Sequence, residues 1–171
     1  IYNIIDYKEE KNMEYFDVVD QNRLSLNYQK ARGATLTEEE YNVGVEVWII
    51  NDNKILMTQR SKNKSHPDKW EVPGGCCQSK ETAIDTVHRE LQEEIGINLE
   101  DEDLYLIGTQ LYKKQFVDIF KSYQTVDLKK TTLQDEEVQN IEFVDKIKFQ
   151  QMIENNTIVP SVLTRFNIIK E

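Results

Sequence analysis

Cysteine is scarce in this chain, and the two that occur, Cys76 and Cys77, are adjacent. Neighbouring cysteines do not reach ordinary disulfide geometry, so a fold stapled by internal disulfides is excluded. Neither stands at zinc-ligand spacing from His66 or His88, the only histidines. A reducing, cytoplasmic setting is the expectation. No apolar run approaches the roughly 20 residues needed to span a bilayer. The start, Ile1-Tyr2-Asn3-Ile4-Ile5-Asp6, lacks the basic region and long apolar stretch of a signal peptide, although it does not begin with Met. Positive charge is also outweighed, with 21 basic residues against 31 acidic ones and a net charge of −10. That balance disfavours a nucleic-acid backbone as partner, which needs a basic footprint. It suits a small anionic substrate whose charge a metal screens first. Internal repeats, low-complexity tracts and evident linkers are missing as well.

What is present reads as one domain, for which 171 residues suffice. Tyr15 to Val19 looks like a short strand and Asp20 to Arg23 like a turn. Val43 to Ile50 is β-branched and aromatic with partial alternation, the first convincing core strand. Asn51-Asp52-Asn53 turns the chain, and Lys54 to Arg60 returns as a hairpin partner. Ser61 to Lys69 is polar loop. Trp70-Glu71-Val72 is a short strand halted by Pro73-Gly74-Gly75, a run that turns sharply and offers bare peptide groups to a ligand. Leu104 to Leu111, Phe116 to Leu128 and Glu137 to Val144 read as strands. Lys148 to Asn155 and Ser161 to Lys170 read as closing helices.

The densest chemistry lies between Gly75 and Ile97. A helix is expected from near Lys80 to Ile95, with Ile84, Val87, Leu91 and Ile95 in one apolar stripe and Gly96 as its left-handed stop. Glu90, Glu93 and Glu94 fall to one side of that stripe. Like charges three and four residues apart weaken a helix, so their concentration implies something positive among them. Carboxylate oxygens are hard ligands suited to Mg²⁺ or Mn²⁺.

The same stretch resembles the Nudix box, G-x5-E-x7-R-E-U-x-E-E-x-G-U with U apolar. Gly75, Glu81, Arg89, Glu90, Leu91, Glu93, Glu94, Gly96 and Ile97 meet every defined position. Leu56 to Arg60 and Lys69 to Gly75 resemble the strand and loop that precede the box. The resemblance implies an α/β (α+β) fold, an α/β/α sandwich with a mixed sheet. Within it lie an N-terminal extension (1–41), a core (42–146) carrying the box at 75–97, and C-terminal helices (147–171).

It also implies roles. Glu90 and Glu94 would be direct metal ligands, with Glu93 a further ligand or the base that deprotonates water. Gly75 would lend its carbonyl to the metal, and a late Glu-Glu-Val makes Glu136 or Glu137 an extra candidate, Glu137 being preferred as a ligand. Arg89, grouped with Glu90 and Glu93 as catalytic, would fix a glutamate by a charge-assisted hydrogen bond. Glu81 would orient that assembly from behind. Arg60 and Gly74 are the substrate-binding candidates. The implied activity is a divalent-metal-dependent pyrophosphohydrolase, cleaving a nucleoside diphosphate linked to another moiety, or a similar diphosphate, by water attack on phosphorus. Its partner would be that small substrate, neither nucleic acid nor membrane, and a homodimer is conceivable through the N-terminal residues.

Two alternatives share the fold. Isopentenyl diphosphate isomerase has a similar layout before its box, but needs a cysteine ahead of a Gly-His pair and further histidines. Here Gly74 stands at the cysteine position, Cys76 at the histidine position, and Asn42 where another histidine is expected. A catalytically silent nucleotide sensor is the other alternative; such domains tend to lose box glutamates, and this chain keeps them.

Overall fold

The structure, a computed structural model, describes residues 13–169. The first strands are β1 (Tyr15–Val19) and β2 (Ser25–Ala31), an antiparallel hairpin. Strand β3 (Asn42–Asn51) turns at Asp52 and Asn53, both at positive φ, into β4 (Lys54–Arg60). Then come β5 (Trp70–Glu71), β6 (Gly74–Cys76) and helix α1 (Ala83–Ile95). The chain continues through β7 (Tyr105–Tyr112), β8 (Gln115–Ser122), β9 (Val138–Val144), α2 (Lys146–Glu154) and α3 (Pro160–Ile169).

The main sheet is mixed. β3 runs parallel to β8 from Asn42 opposite Gln115 to Ile49 opposite Ser122, and β7 pairs antiparallel with β8. β6 lies antiparallel to β3, while β4 takes β5 and β9 as antiparallel neighbours. Alternation along β3 sorts its side chains between two cores, because successive residues point to opposite faces. Val45, Val47 and Ile49 join Val87, Leu91 and Ile95 of α1. Trp48 joins Phe149 and Met152 of α2 and Val162 and Ile169 of α3 on the other face. Helices therefore cover both faces of the sheet, and each fully buried aliphatic side chain contributes about 1.5–3 kcal/mol.

The expected elements are present with shifted ends. The strand read as Phe116 to Leu128 stops at Ser122, and Leu128–Lys130 forms a 3-10 turn instead. α1 starts at Ala83 because Thr82 caps it, its hydroxyl accepting from the Asp85 N–H while Asp85 reaches back to the Thr82 N–H. Gly96 ends it in the left-handed region at φ 69°, as expected. The two closing helices each begin one or two residues earlier than the sequence suggested. Two strands were not anticipated. β2 is largely exposed, although Leu24, just before it, and Leu26 and Tyr28 within it alternate with polar residues. β6 consists of Gly74-Gly75-Cys76, whose backbone pairs with β3 although its composition reads as a turn.

The β1–β2 hairpin is bonded to the segment leading into α1. The Ser79 N–H donates to the Tyr15 carbonyl, the Lys80 N–H to Asp17 Oδ2, and the Ser79 hydroxyl to Asp17 Oδ1. Arg23, from the turn of that hairpin, forms a two-pronged ion pair with the buried Asp118 of β8 at 2.7 and 2.8 Å. Among the described residues no helix is long and apolar enough to cross a membrane.

Candidate functional site

Placement of the site begins with α1. Its apolar stripe is fixed under β3, which leaves Glu90 and Glu94, one turn apart, directed to the edge where β6 and the loop after β4 meet. The glutamates do not all face solvent, as a simple helical wheel suggests. Glu90 is 7% exposed and Glu94 only 3%. Glu93 alone is open, with half of its side chain accessible.

Burying carboxylates costs several kcal/mol unless cations and donors compensate. Arg89 supplies most of that compensation for Glu90. Its Nε donates to Glu81 Oε1 at 2.6 Å and its Nη2 to Glu81 Oε2 at 3.0 Å. Its Nη1 reaches Glu90 Oε1 at 2.9 Å and Glu93 Oε2 at 3.2 Å, and Nη2 also donates to the Cys76 carbonyl. Burial alone would lower the Arg89 pKa, but Glu81 and Glu90 beside it hold it well above its ordinary value. Glu81 in turn accepts from the Gln78 N–H and the Thr86 hydroxyl, so it ties the loop to the helix. Burial would raise Glu81, but Arg89 and these donors hold its carboxyl below the usual range.

Gly75 is set against this cluster. A Cβ there would lie 1.9 Å from Glu90 Oε1, so the close approach of the β6 backbone to the carboxylate requires glycine. Replacing Gly75 with Ala is expected to displace Glu90 and to lower the melting temperature by several degrees, read by thermal denaturation.

Glu94 meets a different cation. The Lys64 ammonium, from the loop after β4, lies 2.6 Å from Glu137, 3.4 Å from Glu94 and 3.5 Å from Glu71. Ser61 anchors that loop, its N–H bonding the Glu137 carbonyl and its hydroxyl the Glu136 carbonyl. Burial pushes the Glu94 carboxyl up to about 8, with Lys64 opposing and Glu90 adding to the shift. Burial raises Glu90 too, against the pull of Arg89. For Lys64, burial is outweighed by Glu71, Glu94 and Glu137, and its pKa rises.

Glu90, Glu94, Glu137 and the backbone at Gly75 thus bring hard oxygen donors to one edge of α1. Among the described residues no three acidic, histidine or cysteine side chains already converge as an open ion cage. Glu90 is instead paired with Arg89, and Glu94 and Glu137 with Lys64. Glu136 is exposed and enters the region only through its carbonyl. Arg60, expected to meet substrate, is turned inward. Its Nη1 bonds Glu71 at 2.5 Å, while Nε and Nη2 hold the carbonyl and hydroxyl of Ser65. It braces the loop that carries Lys64. Lys64 and Glu71 were not singled out by sequence, since a lysine in a polar loop and a glutamate in a short strand carry no local mark.

The other reactive groups stand apart. Asn42 Nδ2 donates to Cys76 Sγ at 3.3 Å, so the two positions where the isomerase would place histidines are indeed neighbours, but neither is a histidine. Burial pushes the Cys76 thiol up to about 11 and also raises Cys77, which disfavours a thiolate. His88 pairs with Asp101 at 2.6 Å, away from the glutamates.

Comparison with known proteins identifies the family. The NUDIX domain family matches residues 40–161. A Listeria innocua protein named as an uncharacterized Nudix hydrolase is 28% identical over 86% of this chain and 89% of its own length. An 8-oxo-dGTP diphosphatase of Buchnera aphidicola is 36% identical over 66 residues, covering 39% of this chain and 51% of that protein. Among solved structures, the Deinococcus radiodurans protein DR0079 superposes with a TM-score of 0.70 at 18% identity, covering 85% of this chain and 92% of that one. With the box glutamates in place and the family matched across the whole core, this chain belongs to the Nudix hydrolase family.

Proposed function

We propose that the protein is a divalent-metal-dependent pyrophosphohydrolase that cleaves a nucleoside diphosphate linked to another moiety, or a similar diphosphate, using Mg²⁺ or Mn²⁺. The observation that carries this reading is the burial of Glu90 and Glu94, one helical turn apart, beside a glycine whose missing side chain leaves Glu90 room. Two such carboxylates gain most from a cation of high charge density. Their donor set, all oxygen, fits magnesium or manganese rather than a softer metal.

Glu90, Glu94 and Glu137, with the Gly75 carbonyl, would hold the metal. When bound, the metal neutralises the diphosphate and lowers the pKa of a bound water. Glu93, accessible on the same helix edge and steadied by Arg89 at its Oε2, is placed to accept a proton from the attacking water at a carboxylate oxygen. The water oxygen then bonds to one phosphorus as the bridging P–O bond breaks, and the other phosphate departs with that electron pair. Glu81 and Arg89 keep Glu90 in position throughout. We take 1–171 as one domain, a reading supported by the bonds from the β1–β2 hairpin to the segment before α1.

Phosphate release from a panel of diphosphate compounds in Mg²⁺ tests the assignment. Turnover of at least one member supports it, whereas metal-dependent binding without any turnover moves the protein to the sensor class. Lys64 gives a separate check, because its ammonium competes for the same carboxylates. Replacing Lys64 with Met is expected to tighten Mn²⁺ binding about tenfold, equivalent to 1.4 kcal/mol. Titration calorimetry reads this directly, and an unchanged or weaker affinity counts against the ligand set.

A further inference from the structure

Beside the site loop, on the face of the sheet covered by α3, lies a cavity of about 260 Å³. Gly74 and Gly75 form one wall, so it opens from the place assigned to the diphosphate. Its polar lining comes from distant parts of the chain: Arg32 after β2, Glu46 of β3, Glu71 of β5, Gln115 of β8, and Ser161 and Arg165 of α3.

Arg165 is the informative member. It is 4% exposed, and its Nη2 donates to Glu46, but neither Nε nor Nη1 has a hydrogen-bond partner. An unsatisfied buried donor is costly, more so on a charged group, and its persistence calls for an acceptor brought from outside. Gln115 gives a second, independent indication. A Cβ on Gly44 would fall 2.7 Å from Gln115 Nε2, so the bare backbone of Gly44 is what admits that amide beside the Gly75 carbonyl.

The lining selects the ligand's chemistry. Glu46 and Glu71 share the cavity with two guanidinium groups, Arg165 and Arg32, so its wall is of mixed sign and is not a cationic cradle for a second oxyanion. A hydroxyl both donates and accepts, and satisfies a wall of mixed sign. None of the lining side chains is aromatic, so the stacking that holds a nucleobase is missing. The volume falls below the roughly 300–1,000 Å³ of pockets that enclose drug-sized ligands, which suits a single saturated ring.

We propose that this cavity is a substrate subsite for the sugar end of a diphosphate-linked sugar, its hydroxyls bonded by Arg165, Gln115 and Glu46. The inference rests on the pyrophosphohydrolase reading, because the diphosphate must lie at Gly75 for the attached ring to enter.

The test compares ADP-ribose with ATP on the wild-type protein and on Gln115→Ala, a partly exposed position chosen because Arg165 variants risk misfolding. The wild type is expected to favour ADP-ribose in kcat/KM, and the variant to lose about tenfold of that preference, mainly through KM. The same pair titrated calorimetrically in Ca²⁺ reads the subsite without requiring turnover. Failure to cleave either compound, with the binding preference still reduced in the variant, overturns the hydrolase reading and keeps the subsite. A wild type indifferent to the sugar, or a preference unaltered by Gln115→Ala in both assays, overturns the subsite.

Discussion

Glu94→Gln is expected to lower kcat/KM on whichever diphosphate the enzyme cuts by about 10³-fold, the scale of removing one group that supports charge at a metal-assisted centre. The substitution keeps the shape of the side chain and an oxygen for Lys64, 3.4 Å away, and removes only the charge. Steady-state kinetics at saturating Mg²⁺ provide the measurement, and activity within tenfold of wild type would falsify the assignment of Glu94 as a metal ligand. Thermal denaturation separates this effect from damage to the fold. Without metal at neutral pH the Glu94 carboxyl, pushed up to about 8, is mostly protonated, so Gln imitates the resident form and the melting temperature stays close to wild type. Added Mn²⁺ should stabilise the wild type and leave the variant unmoved.

The same group gives metal-free protein a pH dependence whose sign is set by the raised pKa. Folded Glu94 binds its proton more tightly than the unfolded chain, whose carboxyl has the ordinary value near 4.5. Its contribution to stability is therefore complete below about 4.5 and is lost as pH rises through about 8. Glu94→Gln removes that part of the slope. Metal affinity runs in the opposite direction and strengthens over the same range, because the ion displaces the proton. Denaturant melts and Mn²⁺ titrations at pH 5.5, 7 and 8.5 test both halves of this prediction.

Arg89→Met is expected to have the largest effect on stability. It removes the guanidinium that bridges Glu81, Glu90 and Glu93 and caps the Cys76 carbonyl. Two mostly buried carboxylates then face each other without a counter-charge. Breaking a buried pair costs about 3–5 kcal/mol, and with 17% of the Arg89 side chain accessible a value of about 2–4 kcal/mol is appropriate. In a chain of this size that corresponds to roughly 5–15 °C in melting temperature. Arg89→Lys should recover only part of it, since an ammonium cannot span both Glu81 oxygens and the carbonyl together. Equal stability of the Met and wild-type proteins in a denaturant melt would show that Glu81 and Glu90 carry no net charge in the folded state.

Much of the architecture could be read locally. Three-residue and four-residue spacing sets the α1 stripe, Gly96 its end, and β-branched runs the strands β3 and β4. β2 and the residue before it carry a short alternation, Leu24, Leu26 and Tyr28, but Leu24 and Tyr28 stay exposed and the strand buries little of it. β6 escaped because glycines pair with β3 through backbone alone, leaving no side-chain signature. At the site, Glu81, Arg89, Glu90 and Gly75 come together as the spacing of the box suggests. Arg60 behaves differently, since its strand position was legible but its inward hydrogen bonds to Ser65 and Glu71 depend on how the following loop folds back.

The sequence by itself determined a helix with three glutamates along one edge, its stop at Gly96, and the family to which the chain belongs. These follow from bonds and spacings within about two turns, where geometry is repetitive. Tertiary structure alone decided which glutamates are buried and which cations answer them. Lys64 meets Glu94 across 30 residues of chain, and Arg165 meets Glu46 across 119. Those pairings set the cost of each charge, because desolvation depends on what packs against a group and not on its neighbours in sequence.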